Sequence, residues 1–143
     1  MQITHQADYA VRTILYLSRL EPNQRVSTSE IAAFNHIPPS FLTKIISQLA
    51  IAGLIHTSRG ARGGVWLARP PEDISLLDVL IAIDGNLALN HCVSDPGDCS
   101  FSPNCLIHKF WQDTCTEMLG RLKKSTFDQF SKDSKKEALP VAA

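Results

Sequence analysis

Residues 27–68 read STSEIAAFNHIPPSFLTKIISQLAIAGLIHTSRGARGGVWLA, and the punctuation of this stretch decides the fold. Ser27-Thr28-Ser29-Glu30 is an S-x-x-E box, in which the Ser27 hydroxyl accepts from the backbone N–H of Glu30 while the carboxylate reaches back to the cap. A short helix follows, to about Phe34. Asn35-His36-Ile37-Pro38-Pro39 then turns, because Pro38 biases Ile37 out of helical geometry and proline suits the first position of a new helix. Phe41, Leu42, Ile45, Ile46, Leu49 and Ile51 carry that helix with a 3.6-residue rhythm that turns Ser40, Thr43, Lys44 and Ser47 outward, and Gly53 ends it in a left-handed conformation. Residues 54–57 and 65–68 flank Ser58-Arg59-Gly60-Ala61-Arg62-Gly63-Gly64, so two short strands make a hairpin with a basic, glycine-rich tip. Two short helices about a tight turn, then a basic hairpin, is the order of a winged helix-turn-helix.

Working outward, residues 7–20 carry apolar side chains at amphipathic-helix spacing, and Pro22-Asn23 ends that helix. Pro70-Pro71 breaks the chain beyond the hairpin, and residues 74–83 form a fourth helix, capped near Ser75 and ended at Gly85. From Leu106, apolar positions recur at Phe110, Trp111, Met118, Leu119 and Leu122, giving a long amphipathic helix to about Lys124 whose stripe needs a partner. The expected fold is mainly α with a small β-hairpin wing: a winged helix-turn-helix plus a long C-terminal dimerisation helix. Residues 1–71 make the DNA-binding domain, with the helix-turn-helix at about 28–51 and the wing at about 54–68. Residues 72–130 hold a cysteine loop and the dimerisation helix, and residues 131–143, rich in Lys and Ser, form a flexible tail.

The chain is long enough for one real core, and no run of apolar residues is long enough to span a membrane. No apolar signal core follows Met1, so the cytoplasm is the expected location, with no membrane partner. The formal net charge is zero, which taken alone argues against a nucleic-acid binder. Its distribution argues the other way. Residues 31–71 contain no Asp or Glu but hold Lys44, Arg59, Arg62 and Arg69, whereas residues 72–98 contain six acids and no Lys or Arg. Double-stranded DNA is the expected partner: Ser40, Thr43 and Lys44 in the first turns of the third helix face base edges, Gln48 lies one turn further along, and Arg59 and Arg62 at the hairpin tip meet phosphates or the minor groove.

In a reducing compartment Cys92, Cys99, Cys105 and Cys115 stay reduced unless bound to something. The first three lie among turn-formers, Asp95-Pro96-Gly97-Asp98 and Pro103-Asn104, so a loop can wrap three thiolates around one centre. Their C-x6-C and C-x5-C spacings differ from the C-x2-C pairs of zinc fingers, and an iron–sulfur cluster tolerates wider loops. A fourth ligand is needed. His108, three residues past Cys105 and on the same helical face, is the first candidate. Cys115 falls on the apolar stripe with Trp111 and Met118 and reads as a small hydrophobe, while His36 and His91 read as surface residues. Trp66 and Trp111 read as packing residues. A thiol enzyme built on Cys99 or Cys105 with His108 requires neither three loop cysteines nor a basic wing, so the chain reads as a non-enzyme. Regulation through protein–protein contact with an enzyme, and cluster-free sensing by thiols or a small molecule, are the alternatives.

With these residues in place, the chain resembles the Rrf2 family of winged-helix regulators from Met1 to about Phe130. Ile3-Thr4 followed by Asp8-Tyr9-Ala10-Val11-Arg12, then Ile37-Pro38-Pro39-Ser40-Phe41-Leu42 and Arg59-Gly60-Ala61-Arg62-Gly63-Gly64, look like family hallmarks, and three cysteines follow at the family's place. The resemblance implies a homodimer with crossing C-terminal helices that reads a two-fold symmetric operator, usually as a repressor, with a cluster tuning its affinity. Cys105-Leu106-Ile107-His108 followed by Trp111 looks like the IscR branch, which implies a [2Fe–2S] cluster on Cys92, Cys99, Cys105 and His108. Asp8 instead matches the position from which NsrR-type members supply an oxygen ligand, with [4Fe–4S] as the alternative cluster. The first cysteine gap is one residue longer than the IscR pattern, and Thr43 stands where IscR-like members carry an acid. RirA-type members, iron-responsive and also with three cysteines, are a further branch that the chain resembles. The signal implied is iron–sulfur status, nitric oxide or redox state.

Overall fold

The computed structural model describes residues 1–133; residues 134–143, most of the stretch read from sequence as a flexible tail, lie outside the described residues. Helix α1 (His5–Ser18) opens at Thr4, whose hydroxyl accepts from the Ala7 N–H at 3.1 Å. Helix α2 (Thr28–Asn35) has the full capping box expected of Ser27 and Glu30, with Glu30 N donating to Ser27 Oγ at 3.1 Å and Ser27 N to Glu30 Oε2 at 3.0 Å. His36 ends it in the left-handed region at φ 53°, and α3 (Pro39–Ile51) starts directly after the turn. Gly53 follows α3 at φ +74°, where a side chain is disfavoured.

Strands β1 (Ile55–Ser58) and β2 (Gly64–Leu67) pair antiparallel, with His56 opposite Trp66 and Ser58 opposite Gly64. Val26, just before α2, joins them as a short third rung: its N–H donates to Val65 O at 3.1 Å and the Val65 N–H returns to Val26 O at 2.8 Å. Helix α4 (Leu76–Asp84) carries a second capping box, Ser75 with Asp78, and closes at Gly85. The cysteine segment holds more local structure than a loop of turn-formers suggests: a single helical turn α5 (His91–Ser94), then 3₁₀ turns at Pro96–Asp98 and Ser102–Asn104. Helix α6 (Leu106–Lys124) follows with the bounds read from sequence.

A further helix, α7 (Phe127–Asp133), was not legible in the sequence, and Ser131, Lys132 and Asp133, assigned there to the tail, form its end. One core joins every layer. Ile14, Ile31, Leu42, Ile45, Leu49, Leu54 and Val65 of the helix-turn-helix and hairpin pack in a single buried cluster with Ile74, Val79 and Phe127. Residues 74–76 and 125–127 are stitched by two backbone hydrogen bonds, Leu76 N to Ser125 O at 2.9 Å and Phe127 N to Ile74 O at 3.0 Å. The chain that leaves the head through α4 and α6 therefore returns to it through α7.

Candidate nucleic-acid interface and cysteine segment

The amino end of α3 differs from those of α2 and α4. Pro38 occupies the cap with no side-chain hydrogen bond, and no acid stands in the first turn, whereas α2 and α4 have Glu30 and Asp78 there. The positive end of the α3 dipole is thus left uncompensated, a setting that favours phosphate. Ser40, Thr43 and Lys44 are exposed on this helix. Thr43 donates its hydroxyl proton to Pro39 O at 3.0 Å, which leaves the oxygen lone pairs for an incoming donor. Gln48 stands at the margin: it is half-buried, and its Oε1 is enclosed with no hydrogen-bond partner among the described residues.

Arg59 and Arg62 are exposed at the hairpin tip. An open groove of about 810 Å³ runs between α3 and the hairpin, lined by Thr43, Ser47 and Ile51 on one side and Arg59 and Gly60 on the other. Helix face and wing thus border one continuous surface. Sequence reasoning missed Arg25, whose guanidinium carbon lies 4.1 Å from the Trp66 ring centroid and whose Nη1 donates to Arg62 O at 2.8 Å. No local pattern marks it, because both contacts are made to residues far along the chain.

The three loop cysteines are half-buried free thiols, Cys92 in α5, Cys99 between the two 3₁₀ turns and Cys105 at the cap of α6. His108 sits in the first turn of α6, and its Nδ1 is buried without a hydrogen-bond partner among the described residues. A buried imidazole nitrogen without a partner is costly unless something fills its coordination or hydrogen-bond site. Three thiols and this nitrogen match the donor chemistry of an iron–sulfur cluster. Among the described residues, however, no three His, Cys, Asp or Glu side chains are gathered closely enough to hold a metal ion. Free thiols do not attract one another, so a bound metal would be needed to draw such donors together, and its binding would then order the loop.

Other candidates are engaged elsewhere. Cys115 is buried at 3% exposure, its Sγ 3.7 Å from Leu87 O. His91 is exposed and pairs with Asp98 at 2.7 Å. Asp8 pairs with Arg12 at 2.7 Å across one helical turn, with both side chains about half exposed, an arrangement worth less than about 1 kcal/mol and easily exchanged for another partner. One turn before Asp8, the Thr4 hydroxyl donates to Asp84 Oδ1 at 2.7 Å, tying the start of α1 to the end of α4, where the chain departs toward Cys92. Among the described residues no helix is long and apolar enough to cross a membrane.

Comparison with known proteins agrees with this architecture. The family model for Rrf2, described as an iron-dependent transcriptional regulator, matches residues 3–133. The HTH-type transcriptional regulator NsrR of Halalkalibacterium halodurans is 32% identical over 142 residues, covering 97% of each chain. Among solved structures, IscR of T. potens superposes with a TM-score of 0.76 at 24% identity, covering 96% of this chain and 93% of that one. CymR, the global cysteine regulator of B. subtilis, superposes at 0.72 with 22% identity, covering 93% and 98%. At these identities the two structures speak for the fold alone. A winged helix-turn-helix with an acid-free reading face, matched by the family model along nearly its whole described length, makes this chain a member of the Rrf2 family of transcription regulators.

Proposed function

We propose that this Rrf2 regulator is a cytoplasmic repressor that binds a two-fold symmetric operator as a homodimer, and that an iron–sulfur cluster on Cys92, Cys99, Cys105 and His108 tunes its affinity. The observation that carries the cluster reading is the buried, unpartnered Nδ1 of His108 beside a segment with three free thiols. That donor set favours [2Fe–2S], and Asp8 in place of His108, with [4Fe–4S], is the alternative. When bound, the cluster supplies iron coordination that responds to iron supply, nitric oxide or redox state. The chain's own part is to order residues 91–105 against the start of α6 and to pass that order to the head through α4 and the Thr4–Asp84 contact. Ser40, Thr43 and Lys44 read the major groove, Gln48 supports them at the margin, and Arg59 and Arg62 hold the wing on the backbone or in the minor groove.

A second reading is sensing by direct thiol oxidation without a metal, for which Cys92, Cys99 and Cys105 offer three free, half-buried thiols. Anaerobic purification with visible absorption, iron and sulfide assays and native mass separates the two. A coloured protein carrying iron and sulfide supports the cluster, and the mass distinguishes [2Fe–2S] from [4Fe–4S]. Full cluster absorbance in Cys99→Ala contradicts the ligand set, and a colourless, metal-free protein whose DNA affinity responds to oxidant supports the thiol reading.

A further inference from the structure

We propose that Arg25 is the positioning residue of the wing: it fixes the shape of the hairpin tip, and so the placement of Arg59 and Arg62, without itself contacting DNA. The inference rests on the wing reading above and names the group on which that reading depends.

Two contacts of the Arg25 side chain, and the strand pairing of its neighbour Val26, meet at the hairpin. Its guanidinium covers the Trp66 ring at 4.1 Å, and Trp66 in turn lies 5.6 Å from the ring of His56, its cross-strand partner. The Trp66 ring thus carries both the guanidinium over it and a tilted contact, at 49°, with the imidazole of the facing strand. The same guanidinium reaches toward the tip, where Nη1 donates to the Arg62 carbonyl at 2.8 Å. The adjoining Val26 is held to Val65 by a reciprocal pair of backbone hydrogen bonds, which anchors the Arg25 main chain against β2. Gly64 accommodates this approach: a Cβ there would stand 2.9 Å from Val26 O and 3.1 Å from the Arg25 Cβ.

The tip needs such an anchor. Residues 60–64 include three glycines, with Gly60 at φ +98° and Gly64 at φ +143°, and a chain of this composition loses much conformational freedom when ordered. Without an anchor, that entropy is lost at the moment of DNA binding and weakens it. Arg25 spans the distance from the middle of β2 to the tip and commits a guanidinium face and one N–H to the hairpin. A planar guanidinium suits both tasks, stacking on an indole and donating in its own plane, whereas an ammonium does each less well.

The test uses the full chain and a duplex that the wild-type protein selects from a random-sequence pool. Backbone amide exchange of residues 62–65 is measured in the free protein, and affinity is measured against salt concentration. Arg25→Ala is expected to speed exchange at the tip and to weaken DNA binding about tenfold, the loss of one cation–π contact and one charge-assisted hydrogen bond, with the salt slope unchanged. Arg25→Lys recovers part of both effects. In an Arg59→Ala, Arg62→Ala background the further change Arg25→Ala costs nothing more, because Arg25 acts through the tip. Unchanged amide exchange in Arg25→Ala, or a salt slope lowered by about one counterion, overturns the proposal and makes Arg25 a bystander or a phosphate contact. Wild-type affinity in the Arg59→Ala, Arg62→Ala protein overturns the wing reading itself, a result independent of the exchange measurement.

Discussion

At the scale of single residues, glycines and caps were the legible features because their chemistry is local. Gly53, the Ser27–Glu30 box and the Pro38-Pro39 helix start each depend on neighbours within four residues, and each stands in the structure where the sequence puts it. Arg25 and the buried Oε1 of Gln48 depend on distant partners or on the packing of a whole face, and no spacing rule reaches them. The hairpin glycines carry a residue-scale prediction. A Cβ on Gly63 would fall 2.3 Å from Ser58 O and 2.7 Å from the carbonyl carbon of Arg59, all backbone atoms that cannot move aside without opening the turn. Gly63→Ala is therefore expected to cost about 1–3 kcal/mol in urea unfolding, the usual scale for forced steric strain, and to weaken DNA binding. Gly53→Ala meets no atom within 4 Å, so its cost is only that of a left-handed non-glycine residue, about 1–2 kcal/mol, with DNA affinity retained. Equal DNA affinities for the two variants would show that the conformation of the tip is irrelevant to binding.

At the scale of elements, five of the seven α-helices among the described residues lie in stretches read from sequence as helix, and the two exceptions share a cause. The turn α5 and its neighbouring 3₁₀ turns are too short to show a period, and α7 offers only Phe127 and Phe130 after Ser125-Thr126. Yet Phe127 is 1% exposed and belongs to the main core. Phe127→Ala should destabilise the head by about 3–5 kcal/mol, as large-to-small changes in packed cores do, read as a lower midpoint in denaturant. Asp128 gives α7 a pH signature. The Thr126 hydroxyl, followed by Lys132, holds the Asp128 carboxyl below the usual carboxylate range. A depressed folded-state pKa means the fold favours the charged form, so the contribution is complete above the ordinary pKa and is lost as pH falls through the lowered one. Wild type and Asp128→Asn are therefore expected to differ in thermal midpoint near neutrality and to converge in acid; a gap that persists in acid assigns the effect to packing instead.

At the scale of the whole molecule, the unpaired stripe of α6 was legible from sequence, but not which part of it remains unpaired. The chain covers the middle of the helix, with Cys115 buried near Leu87, and leaves its first turns open: Leu106 is 94% exposed, Ile107 53% and Phe110 56%. Apolar side chains so exposed at one end of a helix suit an association surface, and in the proposed homodimer a second copy across a two-fold axis would cover them while presenting two reading heads to one duplex. The expectation is specific. Leu106→Glu with Phe110→Glu should convert the dimer to a monomer by native mass while α1, α2, α3 and the hairpin stay folded, since none of their core residues is touched. Because each head then binds alone, affinity for a two-half-site duplex falls by at least about a hundredfold through lost effective concentration, and the salt slope drops by about half as one set of phosphate contacts disappears. A variant that is monomeric yet keeps the full slope would place all the phosphate contacts on one head and detach dimerisation from operator reading.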